Sequence, residues 1–453
     1  MMKCTNLNNR NIYVIPVGDF WEVEPERICM LYAPLSGQSS LVEWKMIEEL
    51  EACASGANSK ESLNQLIRQF SKPANLPFFK MNEHPEHLFQ IDILLNYTCN
   101  FKCIYCYSAK GRSNQVVDWK NVQVLLDYLF CSERKQSRPY MINFSGGGEP
   151  LLSFDLIKKT IEYIETVAGE YKYTLGMVTN GSLLTSEIAE YLKKHKVEIV
   201  ISFEILKDLQ DKERGQYEKV ASNIDMLLQR NIPFGIRTTF THESVKRMRE
   251  MITELQRRFP SIKQVVFDVV LSPDLFNTPN ELRSYYQDYT SEYYVTKAYA
   301  SSLGIKVESI AIETLSMLRD RTCEGKMVLT PVGSISVCSR ISSPLEKDYM
   351  DYIYGEIKEG TLHIDSEKFK SIMTENNIFT QEICKDCFAK WNCGGGCRLF
   401  HKSFSEDFLP AKCDFTKEGL RIELFHSLCK KFEKKQNEDL YAYIAKKIKD
   451  NQI

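Results

Sequence analysis

The sequence lacks a hydrophobic run long enough to span a membrane, so no transmembrane segment is expected. Residues 1–10 are polar and contain no signal-peptide core, which predicts a cytoplasmic protein. The formal net charge is only −2, whereas a nucleic-acid-binding surface needs an excess of basic residues. We therefore expect neither a membrane nor a nucleic acid as partner. Internal repeats and low-complexity segments are also missing.

Cysteine, by contrast, is abundant. The 453 residues include 15 cysteines, while 43% hydrophobic and 26% charged residues are ordinary for a folded protein. Disulfides are rare in the cytoplasm, so the cysteines indicate metal binding or catalysis. A chain of this length exceeds a single hydrophobic core, and two or three domains are expected.

The first cysteine group is Cys99, Cys103 and Cys106, spaced C-x3-C-x2-C. Three thiolates at this spacing suit a four-iron cluster, which normally takes four Cys ligands and here keeps one iron open for a small molecule. The alternative is a structural zinc site. It fits less well, because zinc ribbons usually add a second C-x2-C or a His pair.

A strand-like run, Ile142–Phe144, follows one helical segment later and ends in Gly146, Gly147, Gly148 and Glu149. Glycines at a strand end let the backbone approach a ligand closely. Together the two motifs resemble the radical S-adenosylmethionine (SAM) superfamily. The resemblance implies that SAM chelates the open iron and that Tyr105 lies near its adenine. It also implies that Gly147, Gly148 and Glu149 hold the methionyl amino group.

Further strands alternate with helices along the middle of the chain, which predicts parallel strands whose carboxyl ends form the ligand site. The resemblance places SAM contacts at these ends, at Asn180, Ser202 and Arg237. Weaker candidates for the same role are Glu204, Arg214 and Thr239. The family's usual Asp-Gly after the fourth strand is here Glu204-Ile205, which puts Glu204 in doubt.

The carboxyl-terminal third holds seven more cysteines, in the order and spacing of a SPASM domain. That resemblance implies two auxiliary four-iron clusters. One set is complete: Cys384, Cys387, Cys393 and Cys413. The other has three members: Cys323, Cys338 and Cys397. Zinc remains an alternative for the C-x2-C-x5-C-x3-C run alone.

The three-cysteine set leaves two interpretations open. Its fourth iron could bind a substrate thiolate, because a metal deprotonates a coordinating thiol. Alternatively, the fourth ligand is a distant cysteine or an oxygen or nitrogen atom, since residues 313–319 contain no cysteine. The unassigned cysteines are Cys4, Cys29, Cys53, Cys131 and Cys429.

Residues 1–85 predict a separate unit. Its strand-like segments are Asn11–Pro16, Phe20–Val23 and Ile28–Tyr32, and helical stretches follow at Leu41–Ala54 and Lys60–Phe70, the second after a possible N-cap at Ser59. This order resembles the winged-helix element that captures a precursor peptide by strand addition. A simple cap over the barrel is the alternative.

The predicted class is α/β: a partial (β/α)6 radical SAM barrel with an amino-terminal winged-helix-like domain and a carboxyl-terminal cysteine-rich SPASM domain. The expected divisions are 1–85 for precursor recognition, 86–272 for the barrel, 273–315 for a bridging helix, 316–415 for the SPASM domain and 416–453 for a terminal helix.

The resemblance implies a peptide maturase with SAM and three [4Fe-4S] clusters. A 5′-deoxyadenosyl radical would abstract hydrogen from a ribosomally made precursor peptide, which we expect to contain cysteine, and a thioether crosslink would form. Flavodoxin or ferredoxin is the expected electron donor.

Three other functions stay open. A sulfatase-maturing enzyme would have an Asp base where Ser339 follows Cys338. A peptide epimerase would need a thiol hydrogen donor, for which Cys131 is the candidate, and a carbon–carbon crosslinking maturase shares every motif. A non-catalytic metal scaffold would not need the Gly-Gly-Glu segment.

Overall fold

The computed structural model describes residues 5–7, 11–56, 60–134, 136, 138–313 and 317–450. Cys4, Ser59 and residues 314–316, which carry expectations from the sequence, lie outside these ranges.

The amino-terminal unit is a four-stranded antiparallel sheet followed by two helices. In chain order these are β1 (Thr5–Asn6), β2 (Tyr13–Pro16), β3 (Ile28–Ala33), β4 (Gln38–Glu43), α1 (Lys45–Ala54) and α2 (Glu61–Ser71). The strands stand in the order β1-β2-β3-β4, which leaves β4 at one edge of the sheet.

Two sequence expectations in this unit are wrong. The segment Phe20–Val23 is not a strand, because Gly18–Trp21 forms a 3-10 turn that ends at Glu22 in the left-handed conformation. Leu41–Glu43 belongs to β4 rather than to the following helix, because it pairs with Ile28–Met30 of β3. In the second place, pairing with the neighbouring strand overrides local helix propensity.

The middle of the chain alternates parallel strands with helices, as the sequence predicts. The strands, with the short β5 (Phe78–Phe79) ahead of them, are β6 (Gln90–Ile93), β7 (Tyr140–Phe144), β8 (Tyr173–Thr179), β9 (Val197–Ser202), β10 (Gly235–Phe240), β11 (Gln264–Val269) and β12 (Lys306–Ser309). The helices between them are α3 (Trp119–Leu129), α4 (Phe154–Val167), α5 (Ser186–Lys194), α6 (Lys207–Glu213), α7 (Tyr217–Gln229), α8 (Met248–Arg258) and α9 (Pro279–Ser302).

The carboxyl-terminal segment extends the same sheet beyond β6. Its elements are α10 (Ile310–Glu313), β13 (Leu318–Arg319), β14 (Met327–Leu329), β15 (Ser334–Ser336), β16 (Ile353–Lys358), β17 (Thr361–Ile364), α11 (Ser366–Glu375), α12 (Lys390–Cys393) and α13 (Arg398–Ser403). Strand β14 runs parallel to β6, and β15–β17 continue as an antiparallel meander. The eleven-stranded sheet ends at β12 and β17, so it is open rather than a closed barrel. The predicted α/β class is confirmed.

The last part of the chain forms two helices, α14 (Leu409–Gln436) and α15 (Leu440–Lys449). They share a core with the amino-terminal sheet, in which Phe425 and Ile444 pack with Tyr13, Trp21 and Met30. The two ends of the described chain are therefore packed together on one hydrophobic core. Across the described residues, no helix combines the length and the apolar character needed to cross a membrane.

Candidate functional site

A cavity of about 340 Å³ opens at the carboxyl ends of the parallel strands. The loops that follow β6, β7, β8 and β11 reach it together with residues of strands β8, β9, β10 and β11, as expected for a ligand site in a parallel sheet. The predicted site residues on its wall are Cys99, Cys103, Tyr105, Cys106, Gly147, Gly148, Glu149, Asn180, Ser202, Arg214, Arg237 and Thr239.

The three cysteines of the first group lie in the loop after β6, and their thiols interact electrostatically with one another. Burial raises the pKa of the Cys99 and Cys103 thiols. Two donors already point at the sulfurs: the Phe101 amide lies 3.5 Å from Cys99 Sγ, and Arg112 Nη2 lies 3.4 Å from Cys106 Sγ. Donors of this kind favour thiolates and suit a metal-bound sulfur.

The glycine segment is joined to the cysteine loop by backbone hydrogen bonds. Gly148 N donates to Asn96 O at 2.9 Å, and Glu149 N donates to Thr98 O at 2.8 Å. A Cβ on Gly148 would lie 1.9 Å from Thr98 O, so no other residue fits without moving the backbone. The close approach that the sequence suggests at these glycines is therefore made between two loops of the protein.

The Glu149 carboxylate is buried and ties β7 to β8. It accepts hydrogen bonds from Thr179 Oγ1 at 2.5 Å, Asn180 N at 2.8 Å and Leu151 N at 3.2 Å. Burial raises its pKa, and these donors act in the opposite direction. The three donors fix the carboxylate on the cavity wall, and Asn180 reaches on to Asn100 Oδ1 at 2.8 Å.

Tyr105 is held by a buried pair of charges. Its hydroxyl donates to Glu204 Oε1 and accepts from Arg214 Nη1 at 2.9 Å, and Arg214 Nη1 lies 3.6 Å from Glu204. Thr239 N donates to the other Glu204 oxygen at 3.1 Å. Burial raises the pKa of Glu204 to about 7. The family's Asp-Gly position is thus occupied by a glutamate that orients the aromatic residue of the cysteine motif.

Arg237 and Ser202 come from adjacent strands at the cavity floor. Arg237 forms an ion pair with Asp268 of β11, and Arg214 lies among the cysteines, interacting with Cys103. Two arginines therefore face the cavity from different sides.

Sequence reasoning missed four residues that reach this cavity: Tyr107, Arg112, Asp268 and Arg340. Arg340 lies over the Tyr107 ring, 4.8 Å from its centroid. Only Tyr107 could have been found from the sequence, by its place beside Cys106. The others are brought in by tertiary folding and carry no motif.

The remaining cysteines form two further sets. Thiol interactions join Cys338 to Cys323 and Cys397, and they join Cys384 to Cys387, Cys393 and Cys413. Burial raises the pKa of Cys338 to about 11 and that of Cys384 and Cys413 to about 12. These are the sets that the SPASM resemblance implies, and that each holds a cluster stays a prediction.

Within the described ranges, no group of three or more His, Cys, Asp or Glu side chains is arranged to hold a metal ion. The assignment of these cysteines to clusters rather than to zinc stays a prediction.

A second cavity, of about 300 Å³, lies between the sheet and the carboxyl-terminal cysteines. Its wall includes Cys393 and Cys397. It shares with the first cavity Arg237, Asp268, Val269, Leu271 and Arg340. The first cysteine group and the later sets therefore face adjoining spaces separated by one layer of side chains.

The unassigned cysteines of the described chain lie elsewhere. Cys29 and Cys53 are buried in the core of the amino-terminal unit, and Cys429 packs beside the core shared by α14 and the amino-terminal sheet. Cys131 precedes β7, at the end of the strands opposite the first cavity. None of these four belongs to the interactions of Cys338 with Cys323 and Cys397.

Comparison with known proteins finds one matching family model and several similar proteins. Residues 93–255 match the model of the Radical SAM superfamily. An uncharacterized protein of Methanocaldococcus jannaschii is 31% identical over 178 residues, which cover 38% of this chain. The chain spans 59% of that relative's length, less than two thirds.

Two other matches extend further along the chain. A cysteine-type anaerobic sulfatase-maturating enzyme of Clostridium novyi is 22% identical over 385 residues, or 77% of this chain and 95% of the relative. The solved structure of native anSMEcpe with bound AdoMet has a TM-score of 0.59 and 16% identity, covering 75% of this chain and 98% of that one. The match over residues 93–255 includes Cys99, Cys103, Cys106 and the Gly147–Glu149 segment. Residues 93–255 therefore contain a radical SAM domain, which implies SAM and a four-iron cluster.

Proposed function

We propose that this chain is a radical SAM/SPASM peptide maturase that forms a thioether between a carbon atom and a cysteine sulfur of a ribosomally made precursor peptide. The observation that carries the proposal is the wall shared by the two cavities. A peptide segment lying across Arg237, Asp268 and Arg340 would present one residue to the SAM site and a neighbouring one to the Cys393–Cys397 side.

The first cavity suits SAM and a cluster on Cys99, Cys103 and Cys106. Gly148 makes room for the cysteine loop, Glu149 and Asn180 line the wall, and Tyr105 is fixed by Glu204 and Arg214. Bound SAM and its cluster would supply a 5′-deoxyadenosyl radical that takes a hydrogen atom from the substrate. The surrounding residues orient the reactants and exclude water.

The three-cysteine set supports sulfur as the coupling partner. No described cysteine outside Cys323, Cys338 and Cys397 joins that set, so a cluster there would have room for a thiolate of the peptide. The product would carry one C–S bond in place of one C–H and one S–H bond. One hydrogen would leave in 5′-deoxyadenosine, the thiol hydrogen would leave as a proton, and one electron would return to the metal sites.

Two rival reactions find less support. The Asp base of a sulfatase-maturing enzyme would follow Cys338, where this chain has Ser339 and then Arg340, whose guanidinium lies over Tyr107. The thiol donor of an epimerase would have to reach the first cavity. Cys131 lies at the opposite end of the strands, where the Tyr171 hydroxyl donates to its carbonyl oxygen.

The amino-terminal sheet would receive the precursor peptide at β4. This strand pairs with β3 on one side and stands at the edge of the sheet on the other. An extended peptide could add there through backbone hydrogen bonds. Cys384, Cys387, Cys393 and Cys413 would hold the complete auxiliary cluster and relay the electron outward. A flavodoxin or ferredoxin would be the electron donor of the enzyme.

The test is anaerobic co-expression with a short Cys-containing peptide encoded beside the gene, followed by intact mass measurement in ordinary and deuterated water. Loss of two hydrogens per modified site, together with loss of alkylatable thiols, would support thioether formation. Unchanged mass with deuterium uptake would indicate epimerisation and contradict it. Cys103→Ala is the matched control, and it should leave the peptide unmodified.

A further inference from the structure

Arg321 lies two residues before Cys323 and is 6% exposed. Its guanidinium donates to the Cys323 carbonyl and also hydrogen-bonds the Cys323 thiol. Electrostatic interactions extend from the same guanidinium to Cys397 and Cys338. One buried cation therefore faces all three thiols of the incomplete set.

The carboxylate that interacts electrostatically with this charge is Asp320, the residue before it, and it forms no ion pair with Arg321. Among the described side chains, none of the Asp or Glu residues lies within 4.0 Å of Arg321, and its Nε has no hydrogen-bond partner. Burying an arginine without an opposing charge is costly, and arginine does not escape by losing its proton. The largest interactions that favour the charged guanidinium are those with Cys323 and Cys397, two members of the set it faces.

A second buried arginine, Arg398, has different partners from Arg321. Arg398 is 8% exposed and interacts with Arg321, but it forms an ion pair with Glu375 and lies 5.3 Å from the Tyr352 ring centroid. Its electrostatic interactions include none of the cysteines. Two arginines with similar burial thus differ in their partners: a carboxylate for Arg398 and three thiols for Arg321.

We propose that Arg321 is the counter-cation of a cluster held by Cys323, Cys338 and Cys397, and that it keeps the midpoint potential of this cluster above the value it would otherwise have. The inference rests on the auxiliary cluster named under the proposed function. Reduction adds negative charge to the cluster, and a fixed cation with a hydrogen bond to sulfur stabilises the reduced state more than the oxidised one. A higher potential makes this cluster a better acceptor for the electron that thioether formation returns. Arg321 is a positioning residue and would not touch the peptide.

The experiment is a redox titration followed by electron paramagnetic resonance on the anaerobically reconstituted full chain. The proteins are the wild type, Arg321→Gln, Arg321→Lys and the matched control Arg398→Gln, with iron counted in each. Cys323→Ala identifies the signal of this cluster by its loss, and added SAM identifies the signal of the SAM-binding cluster. We expect Arg321→Gln to shift the first signal to a more negative midpoint potential and to leave the other two in place. Arg398→Gln should move none of them.

Lysine keeps the charge but not the planar donor, so Arg321→Lys should show a smaller negative shift. If Arg321→Gln does not fold, the difference in midpoint potential between Arg321→Lys and the wild type tests the inference. Potentials unchanged in both Arg321 variants, at about 12 iron per chain, would overturn the inference and leave the proposed function intact. About four iron in the wild type would remove the auxiliary assignment and the inference together.

Discussion

Gly148 lies where the end of β7 meets the cysteine loop, and its backbone is in contact with Thr98 and Asn96. A Gly148→Ala substitution would drive a Cβ into Thr98 O at 1.9 Å, next to Cys99. We expect a loss of about 1–3 kcal/mol in the free energy of unfolding, as for other overpacked sites. Because the cysteine loop must shift, SAM binding should weaken as well. Chemical denaturation and equilibrium SAM binding measure the two effects.

The matched control is Gly235→Ala on β10, where a Cβ would meet only Val200 Cγ2 at an ordinary 3.9 Å. It should leave SAM binding unchanged. Equal effects of the two substitutions would contradict the close approach at Gly148.

The raised pKa of Glu204 predicts that the free energy of unfolding depends on pH. Its pKa is raised from 4.5 to about 7 by burial, so between these pH values the folded chain binds more protons than the unfolded chain. The free energy of unfolding should therefore fall by on the order of 3 kcal/mol as the pH rises from 4.5 to about 7. Glu204→Gln should remove that loss.

The measurement is the free energy of unfolding in urea at several pH values between 5 and 8, for both proteins. The two curves should diverge as the pH rises, with the wild type falling faster. Parallel curves would show that Glu204 has the same pKa in both states.

Sequence reasoning found the residues whose spacing is local. Cys99, Cys103 and Cys106 lie within one loop, and their order alone predicts that they act together. It did not find Asp268 or Arg340, which reach the first cavity from β11 and the SPASM segment. Asp268 lies in no motif, and Arg340, two residues after Cys338, comes near the first cysteine group only when the sheet forms.

At the scale of elements, the strand and helix alternation of the barrel was predictable because each strand is a short apolar run between turns. The elements of the amino-terminal unit were harder to predict from the sequence. Phe20 and Trp21 have the side chains of a strand, yet they lie in a 3-10 turn. There they contact Phe425, with ring centroids 4.6 Å and 5.2 Å apart. A partner some 400 positions away in the sequence cannot be read from local pattern.

This packing leads to a prediction about α14. Phe425→Ala would leave a hole beneath Phe20 and Trp21 and should cost about 3–5 kcal/mol. The loss should be concentrated in the amino-terminal sheet, because the cluster around Phe425 includes Tyr13 and Met30 but no barrel strand. Hydrogen exchange should therefore speed up in β2 and β3 while β7 and β8 keep their protection.

Phe379→Ala is the control. Its ring is 72% exposed, so its removal should change stability by less than about 0.5 kcal/mol. Uniform loss of protection throughout the Phe425→Ala protein would mean that the terminal core and the barrel unfold as one unit.

At the scale of the whole molecule, three groups of cysteines are placed along one sheet and its extension. Strand β14 pairs with β6, whose following loop carries Cys99, Cys103 and Cys106, and Cys338 follows β15, the antiparallel partner of β14. The carboxyl-terminal segment is therefore attached through backbone hydrogen bonds to the strand that precedes Cys99, Cys103 and Cys106.

The central claim is that the three cysteine groups hold three separate four-iron clusters. Iron and acid-labile sulfide, measured after anaerobic reconstitution of the wild type and of one Cys→Ala variant for each group, test it most directly. We predict about 12 iron in the wild type and about eight in Cys103→Ala, Cys338→Ala and Cys384→Ala. About four iron in the wild type, unaffected by Cys338→Ala and Cys384→Ala, would contradict the account.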